Sequence, residues 1–227
     1  MRKRPDPAEL ARLLQTLTFF VGVPENTLNE LVKTAVHRTY DPGEIIFLEG
    51  EQATGLYFLQ SGWVRVVKSS PTGREQVLRF MEPGDTFNEV VVFANLTNPA
   101  TAIALETAEV WLLPRQSLNH ALRQNPDFAQ FAIAKLAERV LHLVNLVADL
   151  SLRPVTGRLA RLIGDGAVDG VLSRPRWYTQ TELAARLGTV PDVIQRALRQ
   201  LEQDGLIQVE RHQIRILDAA ALADIAT

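Results

Sequence analysis

The chain has 227 residues, 46% of them hydrophobic and 22% charged, which is enough for one large folded domain or two ordinary ones. It contains no cysteine, so disulfides, thiolate zinc sites and cysteine-held iron–sulfur clusters are excluded. No apolar run reaches the roughly 18 residues of a membrane span, and no apolar signal core follows the basic residues 1–5. We therefore expect a cytoplasmic protein that does not enter a membrane.

The net charge of −2 argues against a nucleic-acid partner, but its distribution is uneven. Residues 1–150 contain 14 Lys and Arg against 17 Asp and Glu, whereas residues 151–227 contain 10 against 9. All ten basic residues of the second part are Arg. Arg binds phosphate and guanine with two parallel hydrogen bonds, which Lys cannot do. A bias towards Arg codons in a GC-rich genome would produce the same excess.

The chain begins with helices and continues as strands. A short helix is predicted from Pro7 to Leu17, followed by Phe19, Phe20 and Val21, and a second helix opens at Pro24. From Tyr40 onward, turn signals rich in Gly, Pro and Asp recur about every ten residues and separate short β-prone runs. These runs are Ile45–Leu48, Leu56–Leu59, Val64–Lys68, Gln76–Phe80, Thr101–Leu105 and Glu109–Leu113. Such even spacing is typical of an all-β sandwich or barrel.

Pro114 ends the β region, a short helix is predicted over Arg115–Gln124, and a long helix follows from Asn125-Pro126 to about Leu150. Apolar residues recur along the long helix at steps of four and three, which is a heptad seam. We predict that a parallel two-fold dimer packs along Ile133, Leu136, Val140, Leu143, Val147 and Leu150. A second stripe through Leu141, Val144 and Ala148 can pack on its own domain; a helix fully buried inside one domain is the alternative.

Ser151–Pro154 breaks the long helix and marks a domain boundary. A helix over Val155–Ile163 and an extended segment over Arg174–Tyr178 lead to two short helices that meet at Leu187-Gly188. Thr179 and Glu182 form a capping box at the start of the first, and Gly188 suits a left-handed stop. The second helix starts at about Pro191, with Thr189 as a candidate cap, and has apolar residues on one side and polar residues on the other. Two helices joined by a tight glycine turn predict a helix-turn-helix.

After Gly205, Leu206–Glu210 and Gln213–Leu217 predict a β-hairpin that turns at Arg211-His212, and Asp218–Ile225 a small terminal helix. A hairpin behind the second helix of a helix-turn-helix is a wing. The predicted organisation is therefore a β-rich first part, a long helix and a winged helix-turn-helix.

In this order, the motifs resemble those of the catabolite-activator/FNR (Crp/Fnr) family of bacterial transcription regulators. The resemblance covers nearly everything from residue 15 to 220. The motifs that carry it are Pro42-Gly43-Glu44-Ile45, Glu49-Gly50, Leu56–Leu59, Gly62–Val66, Gly73-Arg74-Glu75, Pro83–Phe87, Val155–Ala160, Thr179–Ala184 and Arg196-Ala197-Leu198. It implies an α+β protein: a cyclic-nucleotide-binding-like β-roll (a jelly roll) with its helices over 1–125, a dimerisation helix over 126–150 and a winged helix-turn-helix domain over 151–227.

The resemblance also implies how DNA is read. The family reads each half-site with a carboxylate and an Arg four residues apart, which here are Asp192 and Arg196; Arg196 can bind guanine and a carboxylate can accept from cytosine. Asp192 is shorter than the family's usual Glu, so it either reads a base, braces Arg196 or acts only as a charge at the helix N-terminus. Gln195 is positioned to read adenine, or lies on a solvated face. Phosphate contacts are expected from Thr179, Thr189, Arg199, Arg174, Arg176, Arg211 and His212.

The sensor region departs from the family pattern. Cyclic-nucleotide binders of the family carry Gly-Glu and, about ten residues later, Arg-Ser; here Asn88 replaces the Gly, Glu89 is present, and Pro99-Ala100 stand in place of Arg-Ser. A buried phosphate without a cation is poorly stabilised, which argues against cyclic AMP binding in the usual way. The candidate effector pocket comprises Asn88, Glu89, Thr97, Asn98, Thr101, Leu143 and Val144.

Other effectors and other classes of protein stay open. His37, His120 and His142 are candidate haem ligands, and another small ligand or none at all is compatible with the sequence. A cupin-like enzyme would need two His one residue apart on a strand with a third His and a Glu, but the four histidines are scattered. We therefore expect a regulator with no catalytic site and no metal site, with double-stranded DNA, a second copy of the chain and, by resemblance, RNA polymerase as partners.

Overall fold

The computed structural model describes residues 7–16, 20, 23–73, 75–94 and 96–226. Three predicted features lie outside these residues: the end of the first helix at Leu17, the apolar Phe19 and Val21, and Arg74 of the Gly-Arg-Glu motif. Contacts divide the chain into two compact units, Met1–Lys68 with Arg79–His142, and Ser69–Leu78 with Leu143–Thr227.

The first part of the chain contains the predicted helices and strands in the predicted order. Its elements are α1 (Pro7–Thr16), α2 (Glu25–Thr34), β1 (Val36–Tyr40), β2 (Ile45–Phe47), β3 (Gly55–Ser61), β4 (Val64–Ser69), β5 (Glu75–Met81), β6 (Thr86–Phe87), α3 (Glu89–Ala94), β7 (Thr101–Ala104), β8 (Ala108–Pro114), α4 (Arg115–Gln124) and α5 (Pro126–Leu152). The sequence did not predict β1, β6 or α3, because the first is mostly polar and exposed and the other two are very short.

The strands form two four-stranded sheets, ordered β1–β8–β3–β6 and β2–β7–β4–β5. The pairing of β3 with β8 is antiparallel and places Leu56 beside Leu113. Gly62 shows why the turn after β3 needs glycine. Its φ is +85°, and an added Cβ would lie 2.5 Å from the Thr107 carbonyl oxygen. The roll is closed by a core that contains Tyr57, Leu59, Val64, Met81, Phe87 and Val110.

A second core lies where α1, α2 and α4 pack with the start of α5. It contains Leu10, Leu14, Leu28, Leu31, Leu118 and Phe128. The residues that α5 buries are Phe128 and Ala132. The prediction that the stripe Leu141, Val144 and Ala148 packs on its own domain is wrong for Leu141 and Val144, which are exposed. The alternative of a helix fully buried within the chain is also wrong, since apolar side chains remain exposed along α5.

The second part of the chain is built around the predicted helix-turn-helix. Its elements are α6 (Val155–Gly166), β9 (Val171–Ser173), α7 (Gln180–Leu187), α8 (Pro191–Gln203), β10 (Ile207–Val209), β11 (Gln213–Ile216) and α9 (Ala219–Ile225). The wing hairpin β10–β11 is confirmed, and β9, which was not predicted, adds a third strand beside β11. The core of this part contains Leu159, Ile163, Leu183, Ile194, Leu198, Leu201 and Ile214.

Two local predictions in this part are wrong. The helix predicted to end at Ile163 continues to Gly166, and the segment 174–178 is not fully extended. Instead, the Tyr178 backbone N–H donates to the Pro175 carbonyl oxygen at 2.9 Å, which forms a turn that delivers the chain to Thr179. Over the residues described, none of the helices combines the length and hydropathy that a membrane crossing requires.

Candidate nucleic-acid interface and sensor pocket

Capping contacts fix both ends of α7. The Thr179 hydroxyl oxygen accepts from the Glu182 backbone N–H at 3.3 Å, which confirms this half of the predicted capping box. The Thr179 backbone N–H donates to the Trp177 carbonyl oxygen at 2.8 Å. Gly188 has φ +65°, the left-handed stop that was expected. The prediction that Thr189 caps α8 is wrong: Val190 holds the cap position without a side-chain hydrogen bond, and Pro191 follows in the first turn. Thr189 instead donates its backbone N–H to the Ala184 carbonyl oxygen at 2.9 Å.

The helix α8 has one apolar face and one polar face. Ile194, Ala197, Leu198 and Leu201 are buried against the core of the second unit. Asp192, Gln195, Arg196 and Arg199 are exposed on the other side. None of these four side chains makes a hydrogen bond or ion pair within the part of the chain that the structure describes. Asp192 therefore does not brace Arg196 in the free protein, and both side chains remain available to a partner.

A basic cleft lies beside the start of α7. Five of the seven side chains predicted to contact phosphate line this cleft, and Pro175, Tyr178 and Gln180 complete its lining. The five are Arg174, Arg176, Thr179, Arg211 and His212. Its volume is about 660 Å³. The wing is tied to this cleft, because the Arg174 backbone N–H donates to the His212 carbonyl oxygen at 2.7 Å. Thr189 and Arg199 lie outside it.

Arg174 differs from the other basic residues of the cleft. Its Nη2 donates to the Tyr178 carbonyl oxygen at 3.3 Å, and burial lowers the pKa of its guanidinium. Gln180, in the first turn of α7, was not predicted to belong to this cleft; its place directly after the cap is the signal that could have identified it. The cleft thus combines three arginines, a histidine and the positive end of a helix.

The polar residues at the start of α3 are mostly committed to one another. Asn88 has φ +74°, in the left-handed region that Gly adopts without strain. Its amide donates to the Asn98 side-chain oxygen at 3.1 Å, and the buried Asn98 amide donates to the Leu48 carbonyl oxygen at 3.1 Å. The Thr101 hydroxyl oxygen accepts from the Glu49 backbone N–H at 3.1 Å. These side chains hold the loops around the candidate pocket.

Glu89 is the ionisable member of the candidate pocket, and only 8% of its surface is exposed. Burial raises the pKa of its carboxyl, while its own backbone N–H and the charges of Arg79 and Arg139 limit that rise. Arg79, on β5, forms an ion pair with Asp85 in which Nη2 lies 2.8 Å from Oδ1. Burial and the charge of Arg79 lower the pKa of Arg139, which lies on α5. Sequence reasoning missed both arginines.

The structure does not gather every predicted member of the effector pocket. Thr97 is exposed and forms an isolated β-bridge with Gln52. Leu143 and Val144 lie on α5 and are both exposed. The structure brings together Asn88, Glu89 and Asn98 around the start of α3, and Thr101 is the first residue of β7.

The candidate haem ligands lie on three separate elements. His37, on β1, packs edge-on against Trp111 with ring centroids 4.9 Å apart, and burial lowers the pKa of its imidazole. His120 on α4 and His142 on α5 are both exposed. Among the described residues, no three His, Asp or Glu side chains are close enough together to hold a metal ion. Haem binding stays a prediction without a preferred ligand.

The apolar seam of α5 is open in the single chain. Ile133 is 67% exposed, Val140 59% and Val147 62%, and Leu143 is exposed as well. Leu136 and Leu150 are half-buried. Exposed apolar side chains that repeat every three or four residues form a continuous surface patch, which is typical of an interaction site.

The chain combines a β-roll with accessory helices, a long helix and a winged helix-turn-helix. This architecture is that of a transcription regulator in which one chain carries both a cyclic-nucleotide-binding-like domain and a DNA-binding domain. Residues 37–125 match the family model of the cyclic nucleotide-binding domain, and residues 155–225 match that of the Crp-like helix-turn-helix domain. The chain belongs to the Crp/Fnr family of transcription regulators.

Individual relatives resemble the chain over nearly its whole length. The cyclic AMP receptor protein of Thermus thermophilus is 30% identical over 211 residues, which cover 91% of this chain and 95% of that protein. A CRP-like cAMP-activated global transcriptional regulator of Mycobacterium tuberculosis is 27% identical over 217 residues, covering 93% and 97%. Among solved structures, FixK2 from Bradyrhizobium japonicum superposes with a TM-score of 0.76 at 25% identity, covering 86% of this chain and 98% of that one. The fold expected from the sequence is therefore confirmed.

Proposed function

We propose that this Crp-like regulator acts as a homodimer that binds an inverted-repeat operator in double-stranded DNA and places α8 of each copy in the major groove. The observation that carries this proposal is the exposed face of α8. Its polar side chains Asp192, Gln195, Arg196 and Arg199 are held on a rigid helix and have no partner within the described chain. A recognition helix needs this combination of a fixed backbone and uncommitted donors and acceptors.

Arg196 is the principal base-reading residue in this proposal. Its guanidinium can donate two hydrogen bonds to guanine O6 and N7, and each such pair discriminates against a wrong base by roughly 1–3 kcal/mol. Gln195, one residue earlier on the same exposed side, has the amide geometry that pairs with adenine. Asp192 lies one turn before Arg196 and can accept from cytosine N4, although its side chain is short.

The basic cleft positions the reader on the DNA backbone. Arg174, Arg176, Arg211 and His212 can bind phosphate, and Thr179 and Gln180 add donors from the start of α7. Arg199 and Thr189 are further phosphate contacts in the proposal, from the C-terminal part of α8 and from the turn before it. Such contacts fix the register of α8 but read no sequence.

Dimerisation along α5 supplies the two-fold symmetry that an inverted repeat requires. The exposed seam residues Ile133, Val140, Leu143 and Val147 support a parallel helix pair, with Leu136 and Leu150 at its edge. Each copy is proposed to consist of the roll with its helices over residues 1–125, the dimerisation helix over 126–150 and the DNA-binding domain over 151–227. The break after Leu152 would then connect the dimer helix to the DNA-binding domain.

The roll is proposed to bind a small effector, and not to bind cyclic AMP in the way usual for the family. The two relatives named above are a cyclic AMP receptor protein and a cAMP-activated regulator. In this chain, however, Pro99-Ala100 stand where the family's binders carry Arg-Ser, and Asn88 is bonded to Asn98. Contact with RNA polymerase is proposed because members of the family regulate transcription.

Selection of DNA from a random library by the full-length chain tests this proposal. We expect enriched sequences to contain an inverted repeat with half-site centres about 10–10.5 base pairs apart, or a multiple of that spacing. Binding to the selected site should weaken steeply as salt rises, because phosphate contacts release counterions. Enrichment of sites without two-fold symmetry, or affinity that does not depend on salt, would contradict the proposal.

A further inference from the structure

The residue that precedes α8 departs from the usual chemistry of helix starts. Val190 holds the N-cap position with extended backbone angles, φ −119° and ψ 155°, and its side chain makes no capping hydrogen bond. In the same unit, Thr179 caps α7 and Asp218 caps α9, each by accepting from a backbone N–H. Ser, Thr, Asp and Asn are preferred at this position because they can accept such a bond, and Val is among the least favoured residues there.

Val190 is also an apolar side chain that the fold leaves in solvent. Its exposed fraction is 49%, whereas the apolar residues Ile194 and Leu198 of α8 are buried. The Val190 carbonyl oxygen accepts from the Val193 and Ile194 backbone N–H groups at 3.1 and 3.3 Å, but any residue would supply that oxygen. Thr has the same branched shape as Val and would add a capping oxygen. Neither the helix start nor the core therefore requires valine at this position.

Pro191 holds Val190 in one backbone conformation. Contact with a proline ring restricts the preceding residue to extended angles, with φ about −120° and ψ about +120° to +160°, and Val190 lies in this range. The branched side chain of valine is itself stiff at its first torsion angle. A rigid dipeptide thus presents the Val190 side chain at the tip of α8, so little conformational entropy is lost when it meets a partner.

The tip of α8 leads directly into its exposed polar face. Asp192, Gln195 and Arg196 are exposed on the helix that begins after Val190. When a recognition helix enters the major groove, its N-terminal residues contact the base edges. The groove offers hydrogen-bonding groups on all four bases, but the C5 methyl of thymine is the apolar group that side chains contact there. An exposed, rigid and apolar residue at this end of the helix is complementary to that methyl group.

We propose that Val190 contacts the C5 methyl group of a thymine in each half-site and so determines part of the operator sequence. This inference deepens the proposed function and rests on it, since it assigns a base to a residue that makes no hydrogen bond through its side chain. Arg196 lies six positions after Val190. That separation is about 9 Å along a helix, so the thymine lies within about three base pairs of the guanine that Arg196 reads.

Replacement of thymine by deoxyuridine in the selected operator tests this inference, because it removes the C5 methyl and leaves base pairing unchanged. Each thymine is replaced in turn in both half-sites, and the affinity of the full-length chain is measured by fluorescence anisotropy at fixed salt. Burial of one methyl group corresponds to about a fourfold change in affinity. We therefore expect about a 15-fold loss at one symmetry-related pair of thymines when both half-sites carry deoxyuridine.

Val190→Ser separates base reading from helix stability. Serine lacks both methyl groups of valine and can cap α8, so the free energy of unfolding without DNA should be unchanged or higher. The loss caused by deoxyuridine at that pair of thymines should fall below about twofold. Val190→Ala, which removes the same methyl groups without adding a hydroxyl, should give the same reduced loss.

Val168→Ser is the matched control. Val168 is 75% exposed and lies in the same unit but outside α8. The same chemical change at this position should leave the loss caused by deoxyuridine equal to that of the wild type.

Two results would overturn the inference. One is an operator in which no pair of thymines loses affinity on replacement by deoxyuridine. The other is a loss at the same thymines that is as large in Val190→Ser and Val190→Ala as in wild type. A selection without an inverted repeat, or an Arg196→Ala chain that binds as tightly as wild type, would contradict the proposed function instead, since both of those assays keep every thymine methyl in place.

Discussion

The helices α5 and α8 are both amphipathic, but they expose opposite faces. In α8 the apolar residues Ile194 and Leu198 are buried and the polar face with Arg196 is open. In α5 the apolar residues Val140 and Val147 are open, and burial is confined to Phe128 and Ala132. An exposed polar face suits a polar, hydrated groove, whereas an exposed apolar seam gains free energy only against another apolar surface. The proposed function therefore assigns the two helices different partners, DNA to α8 and a second α5 to α5.

The same contrast explains why single-chain packing is tight around α8 and loose along α5. The buried side of α8 belongs to a core with α6, α7 and β11, which fixes the helix before any partner binds. A preformed reader loses little conformational entropy on binding. The exposed seam of α5, in contrast, would be completed only by association, so its stability should depend on protein concentration.

The largest effect is expected from a charge placed in the α5 seam. Val140→Glu would bury an unpaired carboxylate twice in a two-fold interface, so we expect dimer dissociation to increase by at least about 100-fold. Light scattering after size exclusion should then give the mass of one chain at micromolar concentration. Val168→Glu is the control, because Val168 is 75% exposed but lies outside the seam. If the Val140→Glu chain stays dimeric, α5 is not the interface.

The next largest effect is expected from the exposed face of α8. Arg196→Ala should weaken binding to the selected site by about 10- to 100-fold for each half-site, since a bidentate guanine contact is worth roughly 1–3 kcal/mol. Arg123→Ala removes an exposed Arg from α4 and should leave the affinity unchanged. The measurement is a gel shift at fixed salt, repeated with the proposed guanine replaced. An Arg196→Ala chain that binds as tightly as wild type would mean that α8 does not read bases.

The smallest effect concerns the helix that supports α8. Thr179→Ala removes the cap at 3.3 Å on Glu182 and should lower the free energy of unfolding by about 0.5–2 kcal/mol. Denaturant unfolding without DNA measures this change. Thr181→Ala, two residues later in the first turn of α7 and exposed, should be neutral or slightly stabilising, because Ala is the better helix former. Equal loss in both variants would show that the cap contributes nothing specific.

Local signals predicted the DNA-binding end well. The Thr179–Glu182 pattern, Gly188 and the apolar spacing from Ile194 to Leu201 each act within a few residues, so the chain alone places Arg196 on the open face. Six of the eight described strands of the roll were also predicted, since Gly- and Pro-rich turns separate them. Strands β1 and β6 were missed, because mostly polar or two-residue strands form only when a neighbouring strand supplies the hydrogen bonds.

The sensor end depended on tertiary structure. Motif comparison located Glu89 and the loss of the Arg-Ser pair, but Arg79 and Arg139 lie 60 residues apart in the chain and share no local pattern. Only folding of β5 and α5 around the start of α3 brings both charges to Glu89. The sequence by itself determined the order of most elements, the family and the exposed polar face of α8, because periodicity, capping and turn chemistry are local. The tertiary structure alone decided which charges surround Glu89 and which apolar residues of α5 remain uncovered, since both depend on distant segments packing together.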